Sequence, residues 1–194
     1  IHKIVKAAGA LGIRKVRYTG GEPLVRKGIV DLINKTSRIN GIEEIAITTN
    51  GILLGEMAED LKRAGLTRAN ISLDSLNKEK YKYITRGGDL SKVFSAIEKC
   101  LKIGLAPIKI NTVLMKGIND DEIKSFIELT RELPLNIRFI ELMPIGEAIN
   151  VNASMVNSDE IIKSYSELYE IKDLSNSVAR LYKLKNAKGT VGFI

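Results

Sequence analysis

Hydrophobic positions along this chain switch repeatedly between a helical and an extended spacing. Ile4, Val5, Ala8 and Leu11 recur at helical intervals and predict a helix over about residues 2–11. An extended run at 15–19 follows, then a helical pattern over about 28–39. Residues 44–49 read as a strand and 54–64 as a helix. The next strand, 69–74, leads into a short helix near 78–83 and a longer one over 92–103. Strand 107–114, helix 121–133 and strand 136–142 complete the series. Repeated βα units with short connections predict a mostly parallel sheet wound in one direction.

The pattern changes from about residue 149. A helix near 158–165 precedes strands at 168–174, 178–184 and 190–194, which are expected to pair antiparallel. No Pro/Gly/Ser-rich linker sets this stretch apart, and 194 residues suit one α/β core with a small appendage. The expected division is therefore a core over 1–148 and an extension of the same body over 149–194.

The strands carry an unusual polar face. Side chains alternate along a strand, so Lys15, Arg17 and Thr19 share one side of theirs. Asn70, Ser72 and Asp74 share a side of another, and Lys109 and Asn111 align opposite Ile108, Ile110, Thr112 and Leu114. Arg138 stands between Ile137 and Phe139. A dry, unpaired inward face of this kind would be costly, and a mostly parallel sheet is rarely left open to water. A partial (β/α)6 barrel around a polar, anionic ligand, with a small C-terminal antiparallel extension, meets both conditions.

Composition narrows the ligand. The net charge of +7 has two readings, lysines spread over helix surfaces or a cleft that draws in an anion. Trp is absent and no basic run interleaves with aromatics, which speaks against nucleic acid. No apolar run is long enough to cross a bilayer and no signal peptide is visible, so the expectation is a cytoplasmic protein without a membrane partner. The single cysteine, Cys100, cannot close an internal disulfide, and it falls on the apolar face of a helix with Val93, Phe94, Ile97 and Leu101.

The most specific string is Thr19-Gly20-Gly21-Glu22-Pro23-Leu24-Val25-Arg26, set between a strand and a helix. Adjacent glycines remove Cβ atoms where backbone must approach something closely, and Pro23 fixes the turn. The string resembles the methionine-binding turn of radical S-adenosylmethionine (radical SAM) enzymes. Further strings lie at or just beyond strand ends, where α/β folds place ligand sites. They are Thr48-Thr49-Asn50-Gly51, Asn70-Ile71-Ser72-Leu73-Asp74, Lys109-Ile110-Asn111, Lys116-Gly117-Ile118-Asn119-Asp120 and Arg138-Phe139-Ile140-Glu141-Leu142-Met143-Pro144. In this order they resemble the radical SAM GTP 3′,8-cyclase family of molybdenum cofactor biosynthesis, over nearly the whole chain.

The resemblance assigns roles by position. It implies that Gly21, Ser72 and Met143 bind S-adenosylmethionine and that Arg17, Thr48 and Lys109 bind GTP. Lys15, Asn111 and Arg138 would be further barrel-lining groups. Structural readings stay open beside these: Ser72 and Thr48 as ordinary strand-end residues, Arg17 or Arg138 paired with Glu22 or Glu141, and Met143 as core filling. The reaction implied is radical cyclisation, in which a 5′-deoxyadenosyl radical takes the ribose 3′ hydrogen and the ribose carbon attacks C8 of guanine. The family carries two [4Fe–4S] clusters on cysteine triplets, and neither triplet occurs in this sequence. The chain thus reads as a fragment expected to hold no cluster, to lack activity alone, and to expose sheet edges at both ends. A homodimer of the parent is a further expectation. Two rivals remain: another radical SAM enzyme, such as a peptide-modifying one, and a non-catalytic nucleotide- or partner-binding domain.

Overall fold

The computed structural model describes residues 1–143, 156–172 and 178–194. In chain order it contains α1 (His2–Ala10), β1 (Lys15–Tyr18), α2 (Ile29–Ser37), β2 (Glu44–Thr49), α3 (Leu54–Arg63) and β3 (Arg68–Ser72). There follow α4 (Lys78–Ile84), α5 (Leu90–Lys102), β4 (Ile108–Leu114), α6 (Ile123–Glu132) and β5 (Leu135–Glu141). The last elements are α7 (Ser158–Ser164), β6 (Leu168–Ile171), β7 (Arg180–Leu184) and β8 (Thr190–Phe193). Short 3₁₀ turns occupy Pro23–Val25 and Asp120–Glu122. The expected boundary at 148/149 and the tail of the expected strand 168–174 lie outside the described residues.

The chain forms two compact units, and each has its own packing. The first comprises Ile1–Ser72 and Asp89–Ile108. There β1 and β3 both run parallel to β2, with Arg17 in register with Ala46 and Thr48 with Asn70. Ile45, Ile47, Ala69 and Ile71 are buried on one side. Helix α5 shows how sequence sets local structure. Asp89 caps it by accepting from Ser91 N at 3.0 Å, and Lys99 and Lys102 sit in its last turn. Val93, Ala96, Ile97 and Cys100 make one buried stripe at helical spacing. Across from it, a Cβ on Gly55 of α3 would stand 3.4 Å from Ala96 Cα, so the missing side chain lets the two helices approach closely.

The second unit comprises Leu73–Gly88 and Lys109–Ile194. Its strands follow the order β4-β5-β8-β7-β6. In its core Phe126 meets Phe139 edge-on, with ring centroids 6.1 Å apart, and Phe139 meets Phe193 at a tilt, 5.5 Å apart.

The expected antiparallel C-terminal set is present, β6 with β7 and β7 with β8. Its last strand, β8, also runs parallel to β5, so it lies inside the sheet and does not form the exposed edge expected at this end. Its run Val191, Gly192 and Phe193 is buried throughout, as a strand flanked on both sides requires. In α1 only Val5 is buried, while Ile4 is 73% and Leu11 86% exposed. Its helical period is real, but most of that apolar stripe has no cover within this unit.

The architecture is α/β, with parallel pairing in β1–β2–β3 and β5–β8 and an antiparallel C-terminal set. Among the described residues no helix is long and apolar enough to cross a membrane.

Candidate functional site

In the first unit the register puts Lys15, Arg17, Glu44, Thr48, Arg68, Asn70 and Ser72 on one sheet face, opposite the apolar side. Glu44 neutralises part of it, with Oε1 2.6 Å from Arg68 and Oε2 3.7 Å from Lys15. Arg17 is exposed and has no ion pair or hydrogen bond among the described residues. The structural alternative that paired it with Glu22 is therefore not what the fold adopts. Asn70 donates to Thr48 Oγ1 at 3.4 Å. Asn70 Oδ1 and Arg68 Nε are buried and unpartnered among the described residues. Orphaned polar atoms carry an energetic cost and mark a face suited to a polar ligand.

Glu22 organises the Gly-Gly-Glu-Pro turn at the end of this face. Its Oε1 accepts from Leu24 N at 2.9 Å and Thr49 Oγ1 at 2.8 Å, and its Oε2 accepts from Asn50 N at 2.8 Å. The turn after β1 is thus pinned to the turn after β2. Gly51 completes the second turn with φ +83°, and a Cβ there would lie 3.2 Å from both Ile71 and Val93. A Cβ on Gly21, by contrast, would meet nothing within 4 Å, and Gly21 does not have the left-handed φ that Val avoids. Gly21 thus offers open space against exposed backbone, beside which a ligand can lie. Ser72, at the end of β3, is exposed.

In the second unit the expected alternation holds. Ile108, Ile110, Thr112 and Leu114 are buried along β4, while Lys109 and Asn111 are half-buried. Arg138 is half-buried on β5, opposite Gly192 of β8, whose Cβ position lies 3.6 Å from Arg138 Cγ. Met143 is 64% exposed and fills no core. Asp74 accepts from Val113 N at 2.8 Å, and burial raises its carboxyl above the ordinary value of 3.8 while that hydrogen bond lowers it. Asn119 and Glu122 bind the stretch after Ser72 from within the same unit.

Thr48 and Asn70 are brought together, and Arg17 shares their sheet face. Gly21 and Ser72 belong to this unit as well, whereas Lys109, Asn111, Arg138 and Met143 belong to the other. Arg68 and Glu44 were missed from the sequence. Arg68 precedes Asn70 and Ser72 at the same period of two, so the alternation already contained it. Glu22 stands in the Gly-Gly-Glu-Pro string, but its bonds to Thr49 and Asn50, like those of Glu122 to residues 75–77, join segments distant in sequence that no period encodes.

The open backbone at Gly21 and the exposed hydroxyl of Ser72 fit the resemblance's S-adenosylmethionine contacts. The orphaned polar atoms and the unpaired Arg17 fit an anionic nucleotide. An iron–sulfur cluster does not fit Cys100, which is fully buried and whose thiol is pushed up to about 11 by that burial.

The fold and face define a parallel α/β domain that presents polar groups along its strands and at their ends. Residues 1–130 match the Radical SAM superfamily, and the chain belongs to that family. It is 56% identical over its whole length to "GTP 3′,8-cyclase" of Clostridium botulinum (strain Hall), 52% to that of Clostridium acetobutylicum and 50% to that of Petrotoga mobilis. It spans 61% of the length of each of these relatives. Among solved structures it is similar to a domain of pyruvate-formate lyase-activating enzyme from Bacteroides vulgatus, with TM-score 0.62 and 18% identity, covering 78% of this chain and 90% of that one. Coproporphyrinogen III oxidase from Escherichia coli gives TM-score 0.58 at 17% identity, covering 84% of this chain and 42% of that one. These two likenesses concern the fold.

Proposed function

We propose that this chain is the central part of a GTP 3′,8-cyclase, which converts GTP to (8S)-3′,8-cyclo-7,8-dihydroguanosine 5′-triphosphate in molybdenum cofactor biosynthesis. The reading is carried by identity of 50–56% over all of this chain to relatives of that name. The unpaired Arg17 on a polar strand face supports it, since a triphosphate needs such a group and a peptide substrate does not.

S-adenosylmethionine, when bound and given an electron by a reduced cluster of the whole protein, would supply the carbon-radical chemistry that acts on the substrate ribose. The chain's own residues bind and orient. Gly21 offers backbone without a side chain in the way, Ser72 a hydroxyl that donates and accepts, and Met143 a soft apolar contact. Arg17 grips phosphate oxygens with its fork, Lys109 adds a point charge, and Thr48 a hydroxyl. Lys15, Asn111 and Arg138 are further polar groups on the strands of their own units, with roles that the resemblance leaves less defined. Holding ribose and base in reacting geometry is the protein's main contribution to the rate. The clusters belong to parts of the parent beyond this sequence, and Cys100 ligates neither.

The test is anaerobic incubation of the whole protein, its clusters reduced with dithionite, with S-adenosylmethionine and GTP. Product isomeric with GTP, formed together with 5′-deoxyadenosine, is expected. Cleavage of S-adenosylmethionine that is indifferent to GTP would contradict the reading.

A further inference from the structure

Residues 73–77 leave Ser72 as irregular chain, yet each of them is tied to residues 111–122. Leu73 N donates to Asn111 O at 3.0 Å, and Leu73 O accepts from Thr112 Oγ1 at 2.8 Å. Asp74 Oδ1 accepts from Val113 N, and Asp74 O accepts from Asn119 Nδ2 at 2.7 Å. Ser75 Oγ donates to Glu122 Oε1 at 2.7 Å. Leu76 N and Asn77 N both donate to Glu122 Oε2, at 2.6 and 3.0 Å.

Two side chains do most of this. Asn119 is fully buried and uses its whole carboxamide: it accepts from Met115 N at 2.8 Å and donates to Asp74 O and to Val113 O at 2.9 Å. Glu122, 8% exposed, has both oxygens engaged by the 75–77 stretch, with Lys80 Nζ 3.5 Å away as its countercharge. A buried carboxylate that accepts several N–H and O–H groups is a strong fixing point, because its partners have no water to fall back on. An interior strand would not need it. This stretch is not a strand, so side chains must replace the ladder hydrogen bonds it lacks.

We infer that Asn119 and Glu122 are positioning residues for S-adenosylmethionine, acting through the 73–77 segment that continues from Ser72. The inference rests on the proposed role of Ser72. Neither side chain touches the cofactor itself. Their work is to fix the course of the backbone where the hydroxyl-bearing strand end passes into loop, and a ligand-facing group is only as well placed as the shell behind it.

The test compares Glu122→Ala, Glu122→Gln, Ser75→Ala and Ser72→Ala in the whole protein. It reads amide exchange at Leu76 and Asn77 and the separate affinities for S-adenosylmethionine and GTP. Glu122→Ala is expected to speed exchange at both amides and to weaken S-adenosylmethionine binding about tenfold, the scale of one to two lost hydrogen bonds. GTP affinity should stay within about twofold, since the groups that Glu122 fixes are Ser75, Leu76 and Asn77, none of which is assigned to the nucleotide. Glu122→Gln keeps one carbonyl oxygen for the two amides and should recover most of the loss. Ser75→Ala, which leaves the carboxylate in place, should shift binding the same way by less, and it serves if Glu122→Ala does not fold. Unchanged exchange, or equal losses for both ligands, would overturn the inference. If Ser72→Ala weakens S-adenosylmethionine and Glu122→Ala does not, the clasp fails and the reading of Ser72 stands. If Glu122→Ala weakens it and Ser72→Ala does not, the reading of Ser72 fails and the inference built on it falls, although the clasp still fixes the 73–77 segment. If neither does, both are overturned.

Discussion

Glu22 Oε1 accepts a hydrogen bond from Thr49 Oγ1 at 2.8 Å, joining the turn after the first strand to the turn after the second. The same carboxylate holds Leu24 N and Asn50 N, so one side chain sets two loops that the family resemblance ties to ligand binding. Glu22→Ala should destabilise the first unit by about 2 kcal/mol, the scale of a hydrogen bond to a charged group. Glu22→Gln should lose less, because it keeps one acceptor oxygen. Urea unfolding measures both, and equal stability of Glu22→Ala and wild type would contradict the role.

Gly21→Val separates ligand space from backbone strain. The Cβ position is open and φ is ordinary, so fold and stability should be unchanged. S-adenosylmethionine binding by the whole protein should be lost, since the branched side chain takes the space beside the turn. Calorimetry with a circular dichroism control decides it. Normal binding would remove Gly21 from the site.

Much of this was legible from residue order. The alternation of Lys109 and Asn111 with Ile108 and Ile110 gave the faces of β4 correctly, because a period of two follows from strand geometry alone. The β8 placement was not legible. Periodicity shows that residues 190–194 are extended, but not which neighbour they pair with, and β5 was the partner. The clasp residues were hidden for the same reason. Asn119 looked like a turn residue of the Lys116-Gly117-Ile118-Asn119-Asp120 string, and only the fold brings it to Asp74 O. In α1 the helical stripe was read correctly, while its burial depends on tertiary neighbours that no period encodes.

Cys100 should be nearly inert toward thiol reagents at neutral pH. Burial raises its thiol from 9.0 to about 11, so little thiolate forms and less is reachable. The raised value means that stability from this group is fully present below pH 9.0 and is lost as pH climbs toward about 11. Labelling by iodoacetamide should follow global unfolding. Rapid labelling of the native chain would contradict this packing.

Asp74 gives an acid-side counterpart. Its folded value lies above 3.8, so the stability linked to its protonation is present below 3.8 and is lost as pH rises through the raised value. Asp74→Asn keeps an oxygen for Val113 N and removes the charge. It should flatten stability against pH in that window without reducing stability at neutral pH. A marked loss at neutral pH would mean that the carboxylate, and not merely its oxygen, is required.

If this chain holds a triphosphate as proposed, Arg17 and Lys109 are the groups that should grip it. In the whole protein, Arg17→Ala and Lys109→Ala should each weaken GTP binding about ten- to a hundredfold, the scale of a lost charge-assisted contact. S-adenosylmethionine binding should change much less. Guanosine, which has no phosphate to lose, should bind wild type and both variants alike. Measured side by side, a loss confined to GTP is expected. Equal losses for GTP and guanosine would mean that these residues hold the fold together and do not grip phosphate.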